Sequence, residues 1–226
     1  MTERMTANRV GMRSAGFTLI EMMVVVAIIG IMAALAIPSM VGGPDNERLK
    51  TSTRGIANAF SLARSEAVRT GNIHLVFIGT DASGNDLPDY NGAPAIAAVV
   101  NDGAVGSANQ NCVINAGETI WQLAPSINVT GGVLSGVTQM TADVGNGSRW
   151  SGSTFTEPDN DAASWVLFRP EGTAHAFDSS CTIGDIGSGA GGIYLNNGSR
   201  QFGVALRPLG TTRVRIWNQD LSVWGG

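Results

Sequence analysis

Residues 17–41 read FTLIEMMVVVAIIGIMAALAIPSMV, and this apolar stretch decides the organisation of the 226-residue chain. Thr18, Glu21 and Ser39 interrupt it, and residues 22–37 contain no polar side chain. As a helix rising about 1.5 Å per residue it would reach ~37 Å, more than the ~30 Å hydrocarbon core of a bilayer. The sequence therefore predicts one membrane-spanning helix. No other stretch approaches this length, which excludes a multi-pass transporter.

The charges on either side of this stretch predict its orientation. Residues 1–16 carry three arginines and one glutamate, whereas the rest of the chain holds eleven basic and seventeen acidic side chains. Because short basic segments stay in the cytoplasm, we expect a cytoplasmic N-terminus, a single pass through the bacterial inner membrane and a periplasmic C-terminal part. Charged residues make up 14% of the chain, well below the usual quarter of a soluble protein, which agrees with a membrane segment.

The start of the apolar stretch distinguishes two kinds of export signal. An ordinary secretory signal is cleaved after its apolar run, and Ala-Leu-Ala at residues 34–36 would suit that cleavage. However, GFTLIE at residues 16–21 resembles the class III signal of type IV prepilins and type II secretion pseudopilins. The resemblance implies that residues 1–16 are a leader peptide, which prepilin peptidase removes between Gly16 and Phe17. It also implies N-methylation of the new Phe17 amine and retention of the helix over residues 17–41.

Glu21 is an acid inside the predicted membrane helix. An intramembrane carboxylate costs about 2.5 kcal/mol or more unless it is paired, so it is a functional hypothesis by default. The alternative is an acid at the membrane interface whose side chain reaches water. By the resemblance, Glu21 is the fifth residue of the mature chain, where the family has a glutamate that pairs with the terminal amine of a neighbouring subunit during filament assembly. The implied partners are other pseudopilins, prepilin peptidase and the inner membrane.

Two sites are predicted to break the helical stem. Pro38 removes a backbone donor and clashes with the carbonyl four residues back, so we expect a kink or melted turn there that lets subunits pack. Gly-Gly-Pro at residues 42–44 predicts a hinge at the membrane surface. Residues 45–71 then show the pattern of an amphipathic helix, the C-terminal half of the stem. Its apolar face, expected to pack on the globular domain, contains Leu49, Ile56, Phe60, Ala63 and Ala67.

Residues 72–226 are predicted to form antiparallel sheets, because the hydrophobic period changes from 3.6 toward 2. Short β-rich runs are separated by clusters of glycine, asparagine, aspartate and serine. The runs are residues 73–78, 95–100, 119–123, 127–129, 165–169, 192–195, 201–207 and 213–217. No further long helix is evident. We therefore predict an α+β fold, in which a long hydrophobic N-terminal helix packs on a globular domain of antiparallel β-sheets.

Three stretches of the C-terminal part resemble a narrower family. ARSEAV at residues 63–68, followed by IHLVF at residues 73–77, is similar to the helix-to-strand passage of the GspH/FimT family, the H-type minor pseudopilins and related minor pilins. WVLFRPEG at residues 165–172 resembles a strand of that family that ends in Phe-x-Pro-x-Gly, and residues 202–206 leading into residues 213–215 resemble its closing strands. The resemblance implies a periplasmic GspH/FimT-like domain. Residues 81–164 show no such likeness.

Cys112 and Cys181 are the two cysteines of the chain. The periplasm oxidises thiols, and a disulfide between them would close a loop of about 70 residues and contribute ~4 kcal/mol in the chain-entropy model. The alternative is two separate buried thiols. There is no Cys-x-x-Cys motif, and His74 and His175 are far apart in sequence, so we predict no metal site.

The motifs typical of enzymes are weak in this sequence. GSGAGG at residues 187–192 matches a dinucleotide-binding pattern, but a strand follows it, so no helix N-terminus would hold a pyrophosphate. His175 lies near Asp178 and Ser179, yet side chains so close together on one short loop seldom meet at a common centre. Acidic loops near residues 81–89 and 157–161 offer calcium ligands without EF-hand spacing, and solvated acids are the simpler interpretation. We predict neither an enzyme nor a cofactor.

Arg213 and Arg215 lie in the basic part of the exported region. Residues 72–199 hold two arginines and twelve acids, whereas residues 200–226 hold four arginines and one acid. On a strand, both arginines would lie beside Trp217 on one face, with Val214 and Ile216 turned inward, and could contact a phosphate backbone. Minor pilins of natural transformation have a Gly-Arg-x-Arg motif linked to DNA uptake, but the glycine spacing is absent here. The alternative is an exposed strand face or a contact with a partner subunit, which the acidic domain favours.

Together, the sequence predicts a minor pseudopilin, a structural subunit of the type II secretion pseudopilus involved in protein secretion across the outer membrane. The alternative is a minor type IV pilin that primes pili or binds DNA during natural transformation. DNA is a partner only in the second case.

Overall fold

The computed structural model describes residues 17–40, 43–90, 92–144 and 152–226. The chain divides into two compact units, Met1–Gly43 and Pro44–Gly226. Gly16 and the rest of the predicted leader lie outside the described residues, as does Gly42 of the predicted hinge.

The described part of the first unit is helix α1, Leu19–Met40. Thr18 caps this helix, because its Oγ1 accepts a hydrogen bond from the Glu21 amide at 3.3 Å. Thr and Glu three residues apart form the sequence pattern of a capping box. Pro38 lies inside the helix, and the kink expected there stays a prediction. Within the described ranges, no helix is both long and apolar enough to cross a membrane.

Helix α2, Gly43–Thr70, opens the second unit and carries the predicted apolar stripe. All five stripe residues are fully buried, which confirms the predicted face. Thr53 is also fully buried, and its hydroxyl is satisfied because it donates to the Leu49 carbonyl at 2.7 Å. The helix ends before Gly71, whose φ of 70° suits the left-handed position that commonly follows a helix.

Two five-stranded antiparallel sheets form most of the described remainder of the domain, beside the two-stranded pairs β2-β3 and β7-β8. The first, in the order β10-β9-β1-β4-β5, consists of β1 (Asn72–Ile78), β4 (Ala97–Ala104), β5 (Thr119–Leu123), β9 (Trp165–Phe168) and β10 (Ala174–His175). The second, in the order β14-β13-β12-β11-β6, consists of β6 (Thr130–Gly131), β11 (Gly191–Asn196), β12 (Gln201–Leu206), β13 (Thr212–Asn218) and β14 (Val223–Gly225). The short elements are β2 (Asp89–Tyr90), β3 (Ala93–Pro94), α3 (Thr141–Val144), β7 (Phe155–Thr156) and β8 (Ala162–Ala163).

The predicted α+β class with antiparallel sheets is confirmed, with one strand misplaced. Residues 127–129 were expected to form a strand, but they form a turn in which the Val129 amide donates to the Ser126 carbonyl. Asn128 adopts a φ of 62° in that turn, and this left-handed conformation is incompatible with an extended strand. Pairing with β11 begins one residue later, at β6.

The core lies where the buried face of α2 meets side chains from both sheets. Phe60 of α2 packs against Phe155 with ring centroids 5.8 Å apart, and Phe77 of β1 meets Phe177 edge-on at 5.9 Å. The indole nitrogen of buried Trp165 donates to the Phe177 carbonyl at 2.9 Å. The buried face of α2 is therefore covered within the second unit, and the polar atom that Trp165 brings inside is paired.

A disulfide between Cys112 and Cys181 crosslinks two loops of this domain, which confirms the pairing expected from the sequence. Their Cα atoms are 5.2 Å apart and 69 positions apart in sequence. The bond joins the loop that follows β4 to the loop that follows β10.

Candidate assembly and surface sites

The predicted processing and assembly residues lie at the start of α1. Phe17 is 79% exposed, and Glu21 lies in the first turn of the helix, where the helix dipole favours a negative charge. Glu21 has no ion pair among the described residues. The capping role of Thr18 was not anticipated, although T-x-x-E before an apolar run is visible in the sequence as a capping box.

The described side chains of α1, residues 19–33, are apolar around the helix except for Glu21. The large apolar ones are between 44% exposed, at Val25, and 79% exposed, at Leu19. Helices that are hydrophobic all round are normally buried in a protein interior or a membrane, and large exposed apolar surfaces mark interaction sites. This helix therefore presents a surface suited to other helices or to lipid.

The predicted basic pair on β13 belongs to a cluster of three arginines around one acid. Asp143 of α3, whose side chain is 4% exposed, accepts hydrogen bonds from Arg215 Nε at 2.7 Å and from Arg207 at 2.8 Å. Arg213 approaches the same carboxylate at 4.0 Å and remains about half-exposed. The hydrogen bond from Arg215, and then that from Arg207, lowers the pKa of Asp143, against the opposing effect of burial.

Asp143 belongs to a segment that packs on the second sheet, residues 133–144, which we call the cover segment. The hydrogen bonds that Asp143 accepts from Arg207 and Arg215 hold this segment to the sheet. Its Met140 amide donates to the Tyr194 hydroxyl at 3.0 Å, and the Trp224 indole donates to the Thr138 carbonyl at 2.7 Å. A Cβ at Gly203 would come within 2.7 Å of the end of the Met140 side chain, so a larger residue there would require Met140 to move. Arg215 thus has a structural partner inside the domain, whereas Arg213 keeps an accessible guanidinium.

The prediction for β13 was right about one face and partly wrong about the other. Arg213 and Arg215 share a face with Trp217, which packs edge-on against Trp224 at 5.4 Å. Val214 packs against the core as expected. Ile216, also expected inside, is 43% exposed because it pairs with Gly225 of the edge strand β14, which supplies no side chain to cover it.

Asp143 could not be found from sequence pattern. It lies in the region without recognisable motifs, and its partners are 64 to 72 positions away along the chain.

The residues considered for a hydrolytic site, His175 and Asp178, form hydrogen bonds with different groups and not with each other. His175 is buried, its Nδ1 donates to the Gly184 carbonyl at 2.9 Å, and its Nε2 therefore accepts from the Thr173 hydroxyl at 2.9 Å. Asp178 accepts the amides of Ser180 and Thr182, and these bonds, led by that from Thr182, lower its pKa. Both ring nitrogens of the histidine are thus occupied by groups other than the acid.

The glycine run at residues 187–192 leads into β11, as predicted. Its glycines permit close packing: a Cβ on Gly189 would lie 2.6 Å from the His175 amide nitrogen, and one on Gly191 would lie 2.6 Å from the Phe155 ring. These contacts explain the small residues without a bound phosphate.

The two acidic loops differ in how their carboxylates are used. Asp81 accepts the amides of Ser83 and Asn85 and so closes its own turn. Glu157, Asp159 and Asp161 bring carboxylate oxygens within 4.8 Å of one another. Partial burial, followed by the nearby acids, raises the pKa of Glu157. The second loop is therefore a self-repelling acidic surface.

Comparison with known proteins identifies the N-terminal segment. The family model "Prokaryotic N-terminal methylation motif" matches residues 11–37. The type IV major pilin protein PilA of Myxococcus xanthus is 60% identical over 37 residues, which are 16% of this chain and 17% of that protein. The type II secretion system core protein G of Pseudomonas aeruginosa is 45% identical over 51 residues, 23% of this chain and 35% of that protein. No solved structure matches the chain.

These likenesses concern a short part of each protein, since the chain spans about a sixth and a third of the length of those two relatives. They support the coarser half of the sequence prediction: the N-terminus is of the type IV pilin and pseudopilin kind and carries the methylation motif. They do not reach the narrower GspH/FimT assignment, which rests on the β-rich domain.

Proposed function

We propose that the chain is a GspH/FimT-type minor pseudopilin, a structural and non-enzymatic subunit of the type II secretion pseudopilus. The observation that carries this proposal is the methylation motif at residues 11–37, which leads into a helix with apolar side chains exposed all round. A helix of this kind needs a foreign apolar environment. The bilayer supplies it before assembly, and neighbouring stems supply it within the filament.

The proposed life cycle follows from that requirement. The chain inserts in the inner membrane with residues 1–16 in the cytoplasm and residues 72–226 in the periplasm. Prepilin peptidase cleaves between Gly16 and Phe17, and the Phe17 amine is methylated. The trimmed chain then joins the pseudopilus, which functions in protein secretion across the outer membrane.

Glu21 is the proposed assembly residue. Its amide is held by Thr18, while its carboxylate has no ion pair among the described residues, so it is available to a cation from outside the chain. The amine of Phe17 on an incoming subunit is such a cation. An unpaired charge in an apolar environment costs several kcal/mol. Pairing of the Glu21 carboxylate with the Phe17 amine would offset this cost for both groups.

The narrower assignment is supported by the passage from α2 into β1 and by the turn after β9. Arg64 of α2 donates to the Gly172 carbonyl at 3.0 Å, which ties the stem helix to that turn. Gly172 has a φ of 76°, a conformation that explains the glycine of the Phe-x-Pro-x-Gly stretch.

Gene deletion in the native bacterium tests the proposal. We expect loss of exoproteins from the medium, restored by the wild-type chain but not by Glu21→Ala, with pilus-dependent motility and transformation unchanged. Glu47→Ala is the matched control, because Glu47 is an exposed acid of the second unit, paired with Lys50 at 3.5 Å. Full secretion with Glu21→Ala would overturn the assembly role, and normal secretion in the deletion strain would overturn the secretion role.

The second candidate is a minor type IV pilin that primes pili or captures DNA, favoured by the likeness to a type IV major pilin and by the accessible Arg213. In this case the purified chain binds DNA in a salt-dependent manner. Arg213→Ala would weaken that binding without unfolding the domain. Deletion would then abolish transformation or piliation and leave exoprotein secretion intact.

A further inference from the structure

A buried carboxylate lies beside the disulfide of the domain. Asp102, on β4, is fully buried and has no ion pair among the described residues. Its oxygens accept the amide of Asn111 at 3.1 Å and the amide of Cys112 at 3.1 and 3.2 Å. One carboxylate oxygen and the Sγ atoms of Cys112 and Cys181 all lie within 4.8 Å of one another. An acid in this position needs a reason, because an uncompensated buried charge is costly.

The two sulfurs of the pair differ in access. Cys112 is 1% exposed, and its own amide is bound to Asp102. Cys181 is partly exposed and follows a turn in which its amide donates to the Asp178 carbonyl at 2.9 Å. A thiol or disulfide reagent from solution can therefore reach Cys181, whereas Cys112 exchanges protons only with groups inside the domain.

We propose that Asp102 is the proton acceptor and donor for Cys112 when this disulfide closes and opens. The disulfide and the acid then form one thiol–disulfide exchange site, with Cys181 as the outer sulfur and Cys112 as the inner sulfur. This inference concerns the folded domain alone and does not depend on the proposed function.

The closing reaction balances with an oxidised disulfide, such as glutathione disulfide, as co-reactant. The Cys181 thiolate attacks one donor sulfur, a mixed disulfide forms, and one donor thiolate leaves. The Cys112 thiol then passes its proton to Asp102, and the resulting thiolate attacks the Cys181 sulfur. The Cys112–Cys181 bond forms, the second donor thiolate leaves and takes a proton from solvent, and two electrons have passed to the donor disulfide. Opening by an external thiol is the reverse sequence.

The electrostatics suit a group that both accepts and gives a proton. Burial raises the pKa of Asp102 to about 6, despite the opposing amide hydrogen bonds from Asn111 and Cys112, and the charge of Glu118 raises it further. An ordinary thiol has a pKa near ~8.5, and burial in apolar surroundings raises it, so the Cys112 thiolate would be scarce without a nearby base. At neutral pH the carboxylate form of Asp102 supplies that base.

The test measures the rate at which the Cys112 thiolate attacks the mixed disulfide at Cys181. The full chain in detergent is reduced, loaded with glutathione at Cys181, and sampled by acid quench and mass spectrometry as the mixed disulfide decays. We expect Asp102→Asn, which keeps an oxygen acceptor for the Cys112 amide, to slow that decay at least tenfold at pH 7. The wild-type rate should show an inflection near pH 6 that the variant lacks. Asp185→Asn removes an exposed acid four residues after Cys181 and should behave as wild type.

Two results would overturn the proposal. One is equal decay rates with the same pH profile in wild type and Asp102→Asn. The other is stable glutathione attachment at Cys112 instead of Cys181. If Asp102→Asn does not fold, as judged by tryptophan fluorescence, the pH dependence of the wild-type decay rate tests the proposal by itself. A wild-type rate without an inflection between pH 5 and 7 rejects the role of Asp102.

Discussion

The two units of the chain use apolar residues in opposite ways. In the second unit, Phe60 of α2 and Phe77 of β1 are fully buried, because the sheets cover the apolar stripe of the helix. In the first unit, the large apolar side chains described on α1, within residues 19–33, are exposed, Ile29 by 60%. The apolar stripe of α2 thus has its cover within the second unit, whereas α1 presents apolar surface of the kind that marks an interaction site.

The acids of the two units show the same contrast. Asp143 is buried against Arg207 and Arg215 of its own domain. Glu21 has no such partner among the described residues. An acid whose cation is supplied internally stabilises a fold, while an acid in an apolar helix without one suits a contact between chains.

Removal of one large apolar side chain from each unit should give the largest contrast. Phe60→Ala is expected to lower the free energy of unfolding of the domain by about 3–5 kcal/mol, because it leaves a cavity in the core. Ile29→Ala should change it by less than about 0.5 kcal/mol. Tryptophan fluorescence in denaturant measures this, since all five tryptophans lie beyond residue 120. A comparable loss with Ile29→Ala would break the distinction between the units.

Removal of the disulfide tests how far the second unit depends on its own crosslink. Replacement of Cys112 and Cys181 by serine should lower the free energy of unfolding by up to about 4 kcal/mol, because the crosslink restricts a loop of 69 positions in the unfolded chain. Chemical denaturation of the oxidised wild type and the double variant gives the difference. A loss below ~1 kcal/mol would mean that the packing of the two joined loops stabilises the domain without the disulfide.

Asp143→Ala should lower the free energy of unfolding by an intermediate amount, about 1–2 kcal/mol. Hydrogen bonds to charged groups contribute about 1.5–3 kcal/mol, reduced here because the arginines are partly exposed. Because the pKa of Asp143 is lowered in the fold, its contribution is present above the ordinary aspartate pKa and is lost as pH falls through the folded value. Glu47→Ala, which removes an exposed pair with Lys50, is the control and should cost less than ~0.5 kcal/mol.

Denaturation of both variants at pH 7 and near pH 2 measures these differences. An equal loss at both pH values for Asp143→Ala would indicate lost packing instead of lost charge pairing.

The sequence predicted features with a local pattern and the pairing of its two cysteines, and it failed for other contacts between distant segments. The stripe of α2 follows from its 3.6-residue period, and β5, at Thr119–Leu123, has the predicted bounds. The edge strand β14 was missed because three residues are too few for a periodic pattern. Residues 127–129 alternate like a strand, but the backbone of Asn128 turns there. At the N-terminus the contiguous motif was enough, whereas the arginine cluster around Asp143 joins distant segments and has no local signature.

The smallest expected effect is a change in pH dependence at His74. The side chain is buried on β1, its Nε2 has no hydrogen-bond partner in the structure, and burial lowers its pKa despite the nearby Glu66. The unfolded chain therefore takes up a proton that the folded chain refuses, so this residue destabilises the domain as pH falls below ~6.5. Between pH 7 and 5, wild type should lose stability relative to His74→Gln in thermal unfolding, and a constant difference would contradict the burial effect.

The exposed helix of the first unit is tested most directly by the mass of the mature N-terminus. The chain is purified from the membranes of its own bacterium, and its N-terminal peptide is sequenced by mass spectrometry. We predict an N-methylated Phe17 as the first residue, followed by the intact apolar stretch. A mature chain that starts after Ala36 would show that the helix is a discarded signal, and it would contradict the assembly role of α1 and Glu21.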